Sequence, residues 1–586
     1  MKRLGLGWAI IGTLGCMTHP VYAQANGLFI AYPPDGHQTT SEQIFIIGSG
    51  PGAAAVLING EMVDQSPDGH FAPSFPLRVG ANQFVIQQGG QSRTVTVTRQ
   101  APPQLPTGDR LVPSSLVPQQ NLTRLVDEQI CLSAIAPADR QVSARVAGRI
   151  VNLAPQPSNT ELPPNSAILT DQNEPITSPI LPYKGCFTSN EPIDIGVIDY
   201  ELTRTNTSDI RDRQTSSGQL RVISPHSLDV VEVTAREGVA RTGPSTNYSR
   251  LTPLPQGTRV VVSGQEGEWL RLSYGAWIKA SETQPIPGAV PPQATIRSLS
   301  GRQIEGATEI RFPLTEPVPI AVEQGDRTFK LTLYHVVAQT DTIWLDDDPL
   351  IRRLDWQQTT PTQLDYTFAL KTDQQWGYTV RYEGSTLVLV LRHPPQLPAE
   401  GLRGINILLD PGHGGAELGA RGPNGYPEKA VNLDISNYLR QELEQRGATV
   451  YMTRTSDVDL GLRDRMDDIA RIQPHLAFSV HYNALPDSGD AINTAGIGMF
   501  WYHPQAHDLA MSLHNHLVDR LDRPSYGVFW NNLALTRPHA APTILMELGF
   551  MINPLEFEWV TDRREQVKLA GAIADGIEGW LREKSP

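Results

Sequence analysis

Basic residues are in short supply in this sequence. Its 586 residues include 48 Lys and Arg against 62 Asp and Glu, which gives a formal net charge of −14. Nucleic acids and anionic lipid surfaces are bound chiefly through Lys and Arg side chains, so this balance argues against either as the main partner. We interpret the excess of acidic residues as a solvated surface.

Long apolar runs are absent beyond the N-terminus. The apolar run at 4–16 follows two basic residues and precedes the sequence VYA at 21–23, a small-residue cleavage pattern typical of an export signal. The run is too short to span a membrane stably. Residues 1–23 are therefore predicted to be a signal peptide. The mature protein is expected in the periplasm or cell envelope, without stable membrane insertion.

Cysteine is scarce as well, with three residues in the whole chain. Removal of the signal peptide also removes Cys16, although the preceding TLG permits lipoprotein cleavage at that cysteine. Cys131 and Cys186 then remain as an even pair in an exported protein, where oxidation is permitted. We predict a disulfide between them, and two buried thiols are the alternative.

Internal repeats of fixed period and low-complexity blocks are lacking too. The chain is nevertheless too long for one core, and a usual domain size of about 100–200 residues predicts about three to five domains. The 48 prolines fit linkers and turn-rich β modules better than a single compact enzyme. The sequence therefore indicates a modular protein.

Two of the β-rich segments resemble known modules. Residues 24–100 contain short alternating runs such as QIFIIG and QFVIQQ between Gly, Pro and Asp turns, and they resemble bacterial immunoglobulin-like modules. Residues 226–285, with RTGPS at 241–245 and with Trp269 and Trp277, resemble a bacterial Src-homology-3-type repeat. That resemblance implies binding of cell-wall peptides, whereas the simpler interpretation of both tryptophans is a place in the core.

The C-terminal part has a different pattern after Gly401. INILLD is a near-continuous apolar run, and TVYMT, LAFSVH and TILMEL are further candidates for buried strands. Segments with helical periodicity alternate with them, which predicts an α/β domain around a mainly parallel sheet. The first helix is predicted from 428 to a stop at Gly447. Its apolar positions are Val431, Leu433, Ile435, Leu439 and Leu443.

The predicted fold class is multidomain, with several small all-β modules followed by a C-terminal α/β domain whose mainly parallel sheet is flanked by helices. The predicted boundaries are 1–23 signal peptide, 24–100 Ig-like β-sandwich module, 101–120 Pro-rich linker, 121–225 β-rich domain with a disulfide, 226–285 bacterial Src-homology-3-type barrel, 286–395 β-rich domain, 396–403 linker and 404–586 catalytic domain.

Four ionisable residues stand at the ends of the predicted elements of this last domain. His413 follows ILLD by three residues, Glu428 opens the first helix, His481 ends AFSVH and Glu547 ends TILME. Ligands of open α/β sheets gather at the carboxyl ends of the strands. Two histidines and a carboxylate give zinc three protein bonds and leave one position for water. A further carboxylate beside that water is what metal-assisted hydrolysis needs.

We therefore predict a Zn²⁺ site with His413, Glu428 and His481 as ligands and Glu547 as the catalytic base, and no other cofactor-binding residue. A lone histidine is more often structural than functional. The glycines at 412, 414 and 415 favour a functional His413, because they let the backbone approach a bound group or adopt positive φ.

Other histidines fit a metal site less well. His503 and His507 have i, i+4 spacing, but Pro504 between them disfavours one continuous helix. His514 and His516 are two residues apart and cannot share a helix face. We interpret all four as surface or packing residues.

The C-terminal domain also resembles a known family. The segments LLDPGHGGAELGARG, EKAVNLDISNYL, VYMTRTSDVDLGLRDRMDDIAR, FSVHYNA and TILMELGFMINPLE occur in this order between 404 and 580. Together they are similar to the zinc-dependent N-acetylmuramoyl-L-alanine amidases of the cell-wall hydrolase type. The resemblance implies that His413, Glu428 and His481 hold zinc, that Glu547 is the catalytic base, and that peptidoglycan (muramyl peptides) is the substrate.

One difference from some family members concerns regulation. Members controlled by activator proteins carry an inserted helix that blocks the zinc, after the segment that corresponds to HYN here. In this chain residues 484–496, which include Pro486 and Gly489, are too short for a long blocking helix. We therefore predict that this device does not close the site.

Two other functions remain open at this stage. A zinc peptidase acting on the stem peptide would use the same residues, because spacing alone does not identify the bond that is cut. A non-catalytic cell-wall-binding protein is disfavoured, since all four chemical residues are present. The ligands of the β modules, the oligomeric state and any regulatory partner are not predicted.

Overall fold

Alternating apolar residues between Gly, Pro and Asp turns form the β-strands described between residues 29 and 392. The protein is described by a computed structural model that covers residues 27–101, 108–138, 140–157, 159–170, 173–178, 180–204 and 209–585. The predicted signal peptide and Cys16 lie outside these residues. Within them, α-helices begin at Glu428, and no helix is long and apolar enough to cross a bilayer.

The first strands form a unit that we call the N-terminal module. They are β1 Phe29–Tyr32, β2 His37–Thr39, β3 Gln43–Phe45, β4 Ile47–Ser49, β5 Leu57–Ile58, β6 Glu61–Met62, β7 His70–Phe71, β8 Ser74–Pro76, β9 Gly80–Gln88 and β10 Gln91–Arg99. Three sheets with the orders β1-β4-β7, β2-β10-β9-β5-β6 and β3-β8 enclose a core that includes Ile44, Phe71 and Ile86.

The next strands belong to the two predicted segments 121–225 and 226–285, and they connect these segments through a shared sheet. They are β11 Leu122–Leu125, β12 Ile130–Ile135, β13 Arg140–Val146, β14 Arg149–Pro155, β15 Asn159–Glu161, β16 Ile176–Ser178, β17 Pro182–Phe187, β18 Ile193–Arg204, β19 Ile210–Ile223, β20 Val230–Val233, β21 Glu237–Gly238, β22 Leu254–Pro255, β23 Arg259–Glu266, β24 Trp269–Leu272, β25 Trp277–Lys279 and β26 Thr283–Pro285. Strand β11 pairs with both β19 and β23, so one sheet runs from the disulfide-bearing segment into the next.

The two mature cysteines are bonded. Cys131 on β12 and Cys186 on β17 lie opposite each other in antiparallel register. Their sulfur atoms form a disulfide. The predicted disulfide is therefore confirmed, and the alternative of two buried thiols is wrong.

A further pair of sheets precedes the C-terminal domain. Its strands are β27 Ala294–Ile304, β28 Ala307–Pro313, β29 Ile320–Gly325, β30 Thr328–Tyr334, β31 Val336–Trp344, β32 Ile351–Thr360, β33 Gln363–Leu370, β34 Tyr378–Glu383 and β35 Thr386–Arg392. The sheets have the orders β31-β27-β28-β35-β34 and β29-β30-β33-β32. Both contribute to one core that includes Ile310, Phe329 and Leu389.

The C-terminal domain, from 406 to 584, alternates strands with helices. Its elements are β36 Asn406–Pro411, α1 Glu428–Gln445, β37 Thr449–Met452, α2 Leu462–Ile472, β38 Leu476–Asn483, β39 Ile497–Trp501, α3 His507–Leu521, β40 Ser525–Trp530, β41 Thr543–Phe550, α4 Pro554–Thr561 and α5 Arg563–Lys584. The sheet order is β37-β36-β38-β41-β39-β40, parallel throughout except between β39 and β41. The predicted multidomain class and mainly parallel sheet are confirmed.

Alternate residues of the central strands face opposite sides of this sheet. Leu409 and Phe478 belong to the large core that also contains residues of α1, α3 and α5. Leu408 and Ala477 pack instead with Ile469 of α2. Helices therefore cover both faces of the sheet, and the carboxyl ends of β36, β38 and β41 stand next to one another.

The first helix follows its prediction. It begins at Glu428 and ends before Gly447, whose φ of 95° lies in the left-handed region. Leu433, however, is half-buried and lies outside the core. Besides its apolar residues, α1 also buries polar residues, among them Asn432 and Ser436.

The N-terminal module packs against the C-terminal domain. Phe45 and Ile47 share an apolar cluster with Phe550, the last residue of β41, and with Ile552 just beyond that strand. The hydroxyl of Tyr32 and the Nε2 of His37 also contact the carboxylate of Asp487.

A cavity of about 1680 Å³ lies between the C-terminal domain and the two preceding β-rich regions. Arg250, Tyr334 and Tyr502 are among its lining residues. The four predicted site residues do not line it. This cavity is therefore separate from the predicted metal site.

Candidate metal centre

His413 lies in the loop that follows β36. Its backbone has a φ of 59°, and the next two residues, Gly414 and Gly415, have φ of 141° and 55°. Three successive left-handed residues turn the chain sharply, which glycine allows at little steric cost. The turn sets His413 beside the end of the neighbouring strand β38.

Gly412 makes room for the second histidine. A Cβ at this position would lie 2.2 Å from Cε1 of His481, closer than any real carbon contact. The imidazole rings of His413 and His481 meet edge to face, with centroids 4.9 Å apart. The absence of a side chain at 412 therefore permits the two rings to converge.

Glu428 is buried between the two histidines, with 3% of its surface exposed. Its Oε2 lies 3.1 Å from Nε2 of His413, and its Oε1 lies 3.1 Å from Nδ1 of His481. The backbone amides of Ala420 and Tyr482 also donate to the carboxylate. Burial alone would raise the pKa of Glu428, but hydrogen bonds to the two histidines outweigh it and lower this pKa well below its ordinary value.

His413 is itself oriented by a second carboxylate. Its Nδ1 lies 3.0 Å from Oε1 of Glu417. Burial lowers the pKa of His413, but its contacts with Glu428 and Glu417 outweigh burial and raise it. A carboxylate on one imidazole nitrogen fixes the tautomer, so that the other nitrogen can face a metal.

Glu547 stands on the neighbouring strand β41. It is directly in register with His481 of β38, so both side chains emerge on the same face of the sheet. Burial, and then the nearby charge of Glu428, raise the pKa of Glu547 well above its ordinary value. Its buried Oε2 has no hydrogen-bond partner among the described residues.

These side chains fit a zinc ion. One ligand atom from each of His413, Glu428 and His481 lies within 4.8 Å of the others. The donor set of two imidazoles and one carboxylate is the set that leaves a zinc position open for water. An unpaired buried carboxylate oxygen is costly, and at Glu547 it lies where such a water would supply the partner.

Comparison with known proteins identifies the domain that carries this cluster. Residues 407–579 match the family model described as N-acetylmuramoyl-L-alanine amidase. We call the C-terminal domain the amidase domain after this match.

Relatives of the amidase domain cover it over most of its length. The protein described as "Probable cell wall amidase LytH" of Staphylococcus aureus is 34% identical over 179 residues, which are 30% of this chain and 58% of that relative. The solved N-acetylmuramoyl-L-alanine amidase from Clostridium difficile 630 is 27% identical, covering 31% of this chain and 98% of that one, with a TM-score of 0.30.

A second solved structure, the N-acetylmuramoyl-L-alanine amidase AmiC2 of Nostoc punctiforme, is 29% identical and covers 30% of this chain and 97% of that one, with a TM-score of 0.29. The chain spans little more than half the length of LytH. The activity and substrate of the whole protein are therefore stated as proposals.

A buried ion pair supports the histidine loop of the amidase domain. Asp410 and Arg465 are 1% and 2% exposed, and their nearest side-chain atoms are 2.6 Å apart. Arg465 also donates to the carbonyls of Pro411 and His413. Arg454 donates to the carbonyls of Pro411 and Gly412.

A third positively charged side chain, which comes from α1, also holds the histidine loop. Nζ of Lys429 donates to the carbonyl of Gly415 at 2.7 Å and lies 2.6 Å from Asp457. Asp457 in turn accepts from the amide of Gly415. The loop backbone around His413 is therefore held by side chains from several other segments.

The supporting role of these residues was not predicted from the sequence. Asp410 offered a signal, because it ends an apolar strand as a charged residue just before the histidine loop. Arg454, Arg465 and Lys429 lie inside segments that the family resemblance rests on, but their partners are remote in sequence. Pairing between such segments follows from the tertiary fold and not from local pattern.

Three other histidines of the amidase domain have packing contacts. Nε2 of His503 lies 2.7 Å from the carbonyl of Arg537, and His507 packs on Trp501. His514 is buried beside Ser525. Among the residues that the structure describes, none of these histidines belongs to a group of potential metal ligands.

The segment that follows Asn483 contains turns and no helix between 484 and 496. This agrees with the expectation that it forms no long blocking helix. Part of it contacts the N-terminal module, where Gln43 donates to the carbonyl of Ser488 and Tyr32 contacts Asp487.

Proposed function

We propose that the protein is a zinc-dependent N-acetylmuramoyl-L-alanine amidase. It hydrolyses the amide bond between the lactyl group of N-acetylmuramic acid and the L-alanine that begins the stem peptide. The observation that carries this proposal is the cluster of His413, Glu428 and His481 beside an unpartnered Glu547, in a domain of the amidase family.

The ligand residues are held in the form that binds a cation. Glu428 stays ionised, because two backbone amides and two imidazoles surround its carboxylate. Glu417 accepts from Nδ1 of His413, which leaves Nε2 as the donor toward a metal. A zinc ion at this position supplies Lewis acidity toward the scissile carbonyl and a water nucleophile at neutral pH.

Glu547 moves the proton. Its Oε2 is buried and unpaired, and its raised pKa makes the carboxylate a better proton acceptor than an exposed glutamate. It takes the proton from the attacking water and returns it to the leaving amine of L-alanine. The balance is one amide bond broken, one carboxylic acid formed and one amine released.

The remaining modules place this chemistry in the cell wall. We infer that the chain is exported through the segment 1–23 and acts in the periplasm or cell envelope. The N-terminal module and the Src-homology-3-type region, 226–285, then serve binding and positioning on peptidoglycan.

The test is digestion of purified peptidoglycan by the full mature chain, with mass spectrometry of the products. An amidase releases intact stems that begin with L-alanine, whereas a peptidase acting on the stem does not. Glu547→Gln should lower the rate by at least about 100-fold while the bound zinc is unchanged. Glu444→Gln, an exposed glutamate on α1, is the matched control and should cleave at the wild-type rate.

Two results would contradict the proposal. Products without an L-alanine amino terminus would replace the amidase with a stem peptidase. Wild-type turnover by Glu547→Gln would remove Glu547 from the chemistry.

A further inference from the structure

A second group of potential metal ligands lies far from the amidase site. Asp68, His70 and Glu558 each offer a ligand atom, and these atoms lie within 4.8 Å of one another. We call this group the interdomain cluster. Asp68 and His70 belong to the turn that enters β7 of the N-terminal module, and Glu558 belongs to α4 of the amidase domain.

His70 is built into the interface as a rigid side chain. It is 5% exposed, its Nδ1 lies 3.1 Å from Oγ of Ser49, and its ring packs edge to face against Phe557. Its Nε2 has no hydrogen-bond partner among the described residues. The Ser49 contact selects one imidazole nitrogen, so the other is available as a ligand.

The loop that carries Asp68 and His70 also holds Glu558. Its Oε1 accepts from the backbone amide of Asp68 at 2.8 Å. That contact directs the carboxylate toward the module and leaves Oε2 available. The cluster therefore joins two domains through residues 490 positions apart in sequence.

A direct ion pair does not account for this arrangement. No ring nitrogen of His70 lies within 4.0 Å of an oxygen of either carboxylate in the described part of the chain, although one ligand atom of each residue lies within 4.8 Å of the others. An imidazole facing two carboxylates is a donor set for a divalent transition metal.

We propose that Asp68, His70 and Glu558 bind a divalent transition-metal ion, with zinc as the probe, which clamps the N-terminal module onto the amidase domain. Solvent completes the coordination sphere, because Asp68 is exposed. An imidazole ligand disfavours Ca²⁺ and Mg²⁺, which prefer sites made of oxygen. The clamp stands beside the apolar contact of Phe45 with Phe550, so it strengthens an interface that exists already.

The first test counts zinc ions in the full mature chain. With the amidase site intact, the wild type should bind two ions and Glu558→Gln one. Glu61→Gln, an exposed carboxylate of the same module, is the matched control and should still bind two. An unchanged count in Glu558→Gln overturns the proposal.

The second test removes the amidase site and so separates this proposal from the proposed function. The double variant His413→Ala and His481→Ala should bind one zinc ion, and adding Asp68→Asn or His70→Gln should reduce this to none. Zinc should raise the unfolding temperature of the double variant, and Glu558→Gln should abolish the increase. Absence of zinc binding by a folded double variant overturns the clamp, whatever the catalytic result.

A folding defect would not obscure the outcome. Circular dichroism reports whether each variant is folded, and Asp68→Asn changes one exposed side chain while it keeps the backbone amide that Glu558 accepts from. A bound ion that Ca²⁺ at equal concentration displaces would identify a nonspecific carboxylate site and would also overturn the proposal.

Discussion

The glycine before His413 decides whether two imidazoles can share a metal. Gly412 lies in front of the ring of His481, and the smallest possible side chain there would overlap that ring. Interiors are packed too closely to absorb such an overlap without movement. The metal-binding geometry therefore depends on a residue that binds nothing itself.

We predict that Gly412→Ala weakens zinc binding at the amidase site by about 10–100-fold, the range seen when residues that orient ligands are changed. The added Cβ would displace His481 from Glu428. The measurement is the zinc concentration that restores half of the peptidoglycan-clearing rate after chelation. Gly571→Ala is the control, because a Cβ at that position in α5 meets nothing within 4 Å. An unchanged zinc requirement in Gly412→Ala would show that His481 is not a ligand.

The buried pair of Asp410 and Arg465 gives a second prediction. Loss of one partner from a buried ion pair leaves an uncompensated charge and costs about 3–5 kcal/mol, whereas exposed pairs contribute about 0–1 kcal/mol. Asp410→Asn should therefore lower the free energy of unfolding of the amidase domain far more than Asp468→Asn, which breaks the more exposed pair with Arg471. Urea unfolding of both variants measures this difference, and equal losses would refute the role of the buried pair.

The residues that could be predicted from sequence are those with a local signature. His413 stands among glycines after a strand, Glu428 opens a helix, and His481 and Glu547 end apolar runs. The pairing of Asp410 with Arg465 has no such signature, because it depends on how α2 packs against the sheet. Local pattern therefore predicts the reactive groups better than the residues that position them.

At the scale of elements, the segment 484–496 determines what stands over the carboxyl edge of the sheet. It forms turns and is tied to the N-terminal module through Asp487, which contacts both Tyr32 and His37. Burial raises the pKa of Asp487, but hydrogen bonds from Thr39, Tyr32 and His37 outweigh it and lower this pKa. The conformation of this segment therefore depends on its contacts with the N-terminal module.

We predict that Asp487→Ala frees this segment and increases its cleavage in limited proteolysis several-fold, because loops with few tertiary contacts open locally at low cost. Mass spectrometry of the first fragments locates the cut. Asp519→Ala, an exposed aspartate on α3, should leave the digestion pattern unchanged. Equal protection of 484–496 in both variants would mean that the contacts of Asp487 do not hold the segment.

The helices and strands that were predicted best are those with a long periodic pattern of apolar residues. α1 lies where the periodicity placed it, and the central strands β36, β38 and β41 match their apolar runs. β40 and α4 were not predicted, because each is short. The apolar pattern did not indicate that α1 also contributes polar Asn432 and Ser436 to its buried side near Glu428.

For the whole molecule, the contacts between domains contain half-buried histidines. Burial lowers the pKa of His539 to about 4 and that of His503 to about 3. Burial also lowers the pKa of His475 to about 4, and the charge of Arg392 from the preceding sheet contributes. His539 additionally stacks on Tyr378 across the domain boundary.

We predict that these histidines destabilise the protein in acid. They remain neutral in the folded state, whereas the unfolded chain takes up protons below an ordinary histidine pKa of about 6.5. Stability should therefore be unaffected above that pH and fall between about pH 6.5 and pH 4, by up to about 1.4 kcal/mol per pH unit for each histidine. Urea midpoints at several pH values measure the slope. His539→Gln should reduce it, and the same slope in both proteins would contradict this account.

The central claim is that His413, Glu428 and His481 hold one metal ion at the carboxyl edge of the sheet. The most direct measurement is an anomalous-difference map at the zinc absorption edge, from crystals of the zinc-loaded mature chain. We expect a strong peak bonded to Nε2 of His413, Nδ1 of His481 and the carboxylate of Glu428, with Glu547 beside it. A map without a peak among these three residues, in a folded and zinc-bound protein, would contradict the account.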